Sequence, residues 1–125
     1  MMILPTYEVK DLIESLKIAD AVFTTSIDEE YQKDVQSTVI LIAETVNDLD
    51  KRANNRFRNM NYGVEVQIFY GTDFNQPILD VEIKLARLLE KNDWVITQSK
   101  SHINDPKTDQ VTKVFYFEKN YLLED

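Results

Sequence analysis

Apolar residues recur along this chain with two periods, and the switches between them lay out its elements. In TYEVKDLIESLKIAD (6–20), Val9, Leu12, Ile13 and Leu16 form one narrow stripe at helical spacing. Thr6 is expected to cap that helix, and Glu8 lies in its first turn, where a carboxylate meets the positive end of the helix dipole. AVFTTSI (21–27) predicts a short strand. After the polar break DEEYQKD comes STVILIAETV (37–46), whose apolar centre is unbroken. A strand of that kind needs cover on both faces, so a central position is predicted. YGVEVQIFYG (62–71) alternates Val64, Val66, Ile68 and Tyr70 against Glu65, Gln67 and Phe69, the period of a strand with one face in the core. The chain's two glycines bracket it.

The second helix is predicted in QPILDVEIKLARLLEKN (76–92), with Pro77 in its first turn and Asn92 at a left-handed C-terminal position. Ile78, Val81, Leu85, Leu88 and Leu89 supply its core stripe. Leu79, Ile83 and Ala86 widen the apolar arc beyond the roughly 100° that a singly packed surface helix needs, so this helix is expected to touch more than the sheet. DWVITQSKSHI and QVTKVFYFEK read as two strands joined by NDPKTD, which carries turn residues. The fold expected is one α+β domain over residues 1–125, with two main helices on a mostly antiparallel sheet of about five strands, in the order α-β-β-β-α-β-β.

Composition narrows the function classes. A formal charge of −8 disfavours an electrostatic wrap on nucleic acid, which depends on cations displacing counterions. The chain has no cysteine, hence no disulfide framework or thiolate chemistry, and synthesis in a reducing cytoplasm is the simplest expectation. The run VILIA is far shorter than the roughly twenty residues of a membrane helix, and MMILPTYEVKD has no basic segment before its apolar patch, so neither a membrane nor a secreted protein is expected.

The only histidine, His102, lies close to Asp105 and Asp109. One histidine and turn-borne carboxylates make a poor metal constellation, and hairpin turn chemistry explains the aspartates. No glycine-flanked serine stands ready for His102 to activate. Glu65 and Gln67 resemble the acidic strand of a metal-dependent nuclease only superficially, since no lysine follows. Phosphate-loop glycines are missing. No catalytic, cofactor-binding or metal-binding residue is therefore assigned, and an enzyme is not expected.

One segment departs from the acidic background. Residues 47–61, NDLDKRANNRFRNMN, carry Lys51, Arg52, Arg56 and Arg58 against two aspartates, with Phe57 and Met60 as the large apolar groups of their second half. Between two strands this reads as a long flexible loop, a solvated one or a docking arm that orders against an acidic neighbour. Six tyrosines and six phenylalanines, several near the C-terminus, add to the case for assembly, because aromatic side chains suit interfaces as well as cores.

The block from Gly63 to Lys119, through VEVQIFY, LLEKNDWVI, HINDP and TKVFYF in that order and spacing, resembles a small tail-component family of siphophages of Gram-positive bacteria. The resemblance implies a tail terminator, or tail completion protein, similar in architecture to the tail terminator of phage lambda. Such a protein forms a hexameric ring on the finished tail tube, ends tube polymerisation and presents the surface for head-tail joining. The implied partners are further copies of itself, the tail-tube protein and the head-tail connector proteins, with DNA only as cargo in the lumen and no membrane. The implied location is the virion tail or neck, and the host cytoplasm during assembly. A head-tail connector or another neck protein is the alternative. The contacts expected to serve assembly are Lys51, Arg52, Arg56, Phe57, Arg58 and Met60 in the connection, and Leu79, Ile83 and Ala86 on the second helix.

Overall fold

The computed structural model describes residues 2–53 and 56–123, with the side chains of residues 50–53 outside that description. The elements in order are α1 (Pro5–Glu14), β1 (Ala21–Thr24), α2 (Glu29–Gln32), β2 (Val39–Ala53), β3 (Arg56–Tyr70), α3 (Ile78–Lys91), β4 (Val95–Ser99), β5 (Ile103–Asn104) and β6 (Val111–Leu122). The fold is α+β and mostly antiparallel, as the periodicity predicts. Among the described residues one six-stranded sheet runs β1-β2-β3-β6-β4, with β5 paired to β6. The pairing of β1 with β2 is the parallel one.

α1 begins earlier than its apolar stripe suggests. Pro5 takes the first helical turn, where a missing N–H costs nothing, and extended Leu4 is the N-cap, without a side-chain capping bond. Thr6 is not the cap; it lies inside the helix and is buried. At the other main helix, Pro77 is the N-cap, just outside the first turn. Asn92 is not left-handed either. Its side chain donates to Leu88 O at 2.9 Å, and Asp93 takes the positive φ of 71°.

β2 is an interior strand, paired to β1 and β3 as expected, and β3 holds the middle of the sheet. Along β3 the residues Tyr62, Val64, Val66, Ile68 and Tyr70 are all buried, and opposite them on β6 stand Phe117 and Phe115. Val9 and Ile13 of α1 join Val81, Leu85 and Leu89 of α3 in the same core cluster, so both main helices lie on one face of the sheet. Each fully buried leucine or isoleucine contributes roughly 1.5–3 kcal/mol, which makes this single face the main source of stability.

Both glycines mark close approaches. A Cβ on Gly71 would stand 2.0 Å from the backbone oxygen of Gln36, and one on Gly63 would stand 2.6 Å from Thr45 Oγ1 at a register shift in the β2–β3 ladder.

The flexible loop expected over residues 47–61 is instead a continuation of the sheet. Pairs run from Asn47 with Tyr62 outward to Ala53 with Arg56, and β6 backs β3 as far as Leu122 opposite Asn59. Backbone hydrogen bonds to strands on both sides of β3 replace the apolar alternation that was missing from the sequence. Asn54 and Asn55 lie outside the described residues. The predicted hairpin after β5 is present. Asp105 N–H donates to Gln110 O at 2.9 Å, Lys107 N–H donates to Asp105 Oδ1 at 2.9 Å, and Asp109 has a φ of 64°.

Candidate functional site

With both helices on one face, the domain has two unlike broad surfaces. On the helical side, Leu79 and Ile83 of α3 are 64% and 50% exposed, and Ala86 is half-buried beside them. The wide apolar arc of this helix thus reaches solvent. Ile83 and Leu88, with Leu16 after α1, floor a shallow groove of about 450 Å³ whose rim carries Lys84, Arg87 and Lys91 against the single acid Asp80. None of these three cations is in an ion pair among the described residues.

The N-terminal half of α3 also carries a buried polar chain. Glu82, 4% exposed, accepts a hydrogen bond from Tyr70 Oη at 2.7 Å, and its carboxylate lies 2.8 Å from His102 Nε2. Burial, reinforced by this carboxylate, holds the Tyr70 phenol above the usual tyrosine range. Lys113 is buried on the same side, donates to Ser99 Oγ at 2.8 Å and to Lys100 O, and lies 4.8 Å above the Phe115 ring. Glu82, His102, Ser99, Lys113 and Phe115, together with Leu79, Ile83 and Ala86, line a cleft of about 220 Å³. His102 is therefore a partner of Glu82, twenty residues upstream, rather than of the turn aspartates. Sequence reading missed this pair, and its one available signal was an acidic residue within the apolar arc of α3. Chemically the chain ties the segment after β4 to α3. No group of three or more histidine, aspartate or glutamate side chains converges as a metal site among the described residues.

The opposite face of the sheet carries no main helix. Register places Phe23, Val39, Leu41, Phe69 and Val114 on it, and all but Val39 are half-buried. Near β1 it is sheltered by α2, whose Tyr31 ring lies 5.6 Å from that of Phe23. Farther along β3 and β6 the same face turns acidic at Glu65 and Glu118. Glu65 accepts hydrogen bonds from Tyr116 and from Gln67, and Glu118 accepts one from Asn61 at 2.7 Å.

The other expected contacts lie on the β2–β3 hairpin arm. Phe57 is 44% exposed, while Arg58 and Met60 are half-buried and Arg56 is exposed. Lys51 and Arg52 are in β2, and their side chains lie outside the described residues. Ile68 and Asn59 of β3 pair with Lys113 and Leu122, so the α3 cleft and the arm stand about 30 Å apart along the strands. The structure does not bring the two groups of expected contacts together.

Search among curated proteins finds no match to this chain. A family model described as "Protein of unknown function (DUF806)" matches residues 3–122. That match spans every element of the fold, and the chain belongs to the DUF806 family.

Proposed function

We propose that this protein is a siphophage tail terminator, a ring of identical subunits that seats on the finished tail tube, ends its polymerisation and offers a surface for head-tail joining. The observation that carries this reading is the pair of unlike surfaces on one small domain. One is a helical side with exposed Leu79 and Ile83 among cations, and the other is a sheet face without a main helix. A subunit with two different surfaces makes heterologous contacts, which close into rings when the rotation allows. One further point supports the reading: the ordered motifs from VEVQIFY to TKVFYF, which resemble the tail-component family; membership of DUF806 does not conflict with it. The hairpin arm, with Arg56, Phe57 and Arg58, is assigned to contact with the tube protein or a neighbouring subunit. The chain's charge of −8 suits a lumen that passes DNA without binding it.

The test is electron microscopy of the cognate tail-tube protein polymerised with and without this protein. Shortened tubes carrying a ring at one end are the expected result. Tubes of unchanged length with bare ends, in the presence of folded protein, would overturn the assignment.

A further inference from the structure

We propose that the α3 side of one copy seats on the sheet face of the next that carries no main helix, beside its α2-sheltered end, so that each subunit supplies the missing layer of its neighbour. This deepens the ring reading and rests on it. A sheet with helices on one face and half-buried Phe69 and Val114 on the other is two layers of a three-layer arrangement. The exposed apolar residues of α3 are of the kind that completes it.

Charge and spacing select a second copy as the occupant. Along α3, the apolar pair Leu79 and Ile83 precedes the cations Arg87 and Lys91, with the centres of the two pairs eight residues apart, or about 12 Å on a helix. On the sheet, Phe69 and Val114 are followed by Glu65 and Glu118, each four residues farther along its strand, or about 13 Å. A helix laid along the strands therefore sets apolar on apolar and cation on carboxylate at once. Glu65 and Glu118 take their described hydrogen bonds from neutral donors, Tyr116, Gln67 and Asn61. Their charge remains available to Arg87 and Lys91. Because the two surfaces differ and lie on opposite sides of the domain, the contact propagates head to tail.

The test uses full-length protein in two reversed forms. Arg87→Glu with Lys91→Glu reverses the helical surface, and Glu65→Lys with Glu118→Lys reverses the sheet surface. Each is checked for native circular dichroism and cooperative unfolding, then measured by mass photometry and by capping of tail tubes. Each form alone is expected to assemble at least about tenfold more weakly than wild type, because like charges meet at every junction. An equimolar mixture is expected to recover assembly, because alternating subunits restore opposite charges at every junction. If wild type forms rings and the folded variants do so equally well, the contact is wrong and the ring reading stands. If single variants fail and the mixture does not recover, the two surfaces do not meet and the proposal is overturned. If the sheet variant forms rings but no longer caps tubes, that face belongs to the tube protein, which also overturns it. Wild type that neither assembles nor caps removes the ring reading and this contact with it.

Discussion

Replacing Glu82 by leucine tests whether the buried polar chain behind α3 acts as a latch. The substitution removes the acceptor of Tyr70 Oη and the partner of His102, while keeping an apolar side chain of similar reach. Tyr70 is 2% exposed, so its hydroxyl loses its partner without access to water, at a cost of about 1–3 kcal/mol. The His102 ring is 35% exposed and turns to solvent, so loss of that pair adds no more than about 1 kcal/mol. The sum is about 1–4 kcal/mol. Urea unfolding followed by tryptophan fluorescence reads it directly, because a domain of this size has a slope of about 1–3 kcal/mol per molar and, at a mid-range slope, the midpoint should fall by roughly 0.5–2 M. Adding Tyr70→Phe should recover most of the loss, since removing both members of a buried pair is far cheaper than orphaning one. A Glu82→Leu protein within about 0.5 kcal/mol of wild type, or a double variant as unstable as the single, would refute the reasoning.

Gly71→Ala should destabilise the domain by about 1–3 kcal/mol and loosen residues 36–37, because the new methyl collides with backbone rather than with a yielding side chain; hydrogen exchange at Thr72, which donates to Val35 O, reports it. Leu85→Ala, at a fully buried position of α3, should cost about 2–5 kcal/mol in the same urea assay, whereas Leu79→Ala, at an exposed one, should stay within about 0.5 kcal/mol while weakening assembly. Tyr62, Tyr70 and Tyr121 have phenols raised above the ordinary tyrosine value of about 10 by burial first and then by nearby Glu44, Glu82 and Glu8. The stability they contribute is complete below that value and is lost as pH rises above it. Alkaline absorbance titration should show part of the tyrosine signal appearing only with unfolding; a single reversible step near pH 10 would contradict this. Asp34 is the opposite case. Hydrogen bonds from Ser37 and Gln36 hold its carboxyl below 3.8, so the 34–37 turn should persist through mild acid and loosen only as pH falls through the lowered value, which the amide shift of Ser37 would track.

The chain by itself determined the elements whose packing and periodicity agree. The stripe of Val81, Leu85 and Leu89, the alternation from Val64 to Tyr70 and the turn residues around Asp105 were all legible, because local geometry and burial demand the same residues at the same positions. Three features were decided only by tertiary contact. Residues 47–61 read as a loop because their side chains do not alternate, yet the backbone is paired on both sides of β3, and sheet hydrogen bonds carry no side-chain signature. His102 read as a hairpin residue because Glu82 is remote in sequence and is brought to it by the packing of α3. The unbroken apolar run of β2 signalled a need for cover on two faces but not its source. Strand order and the side on which both main helices land settle that: α1 and α3 pack on the face of Val64 and Val66, and the opposite face carries no main helix.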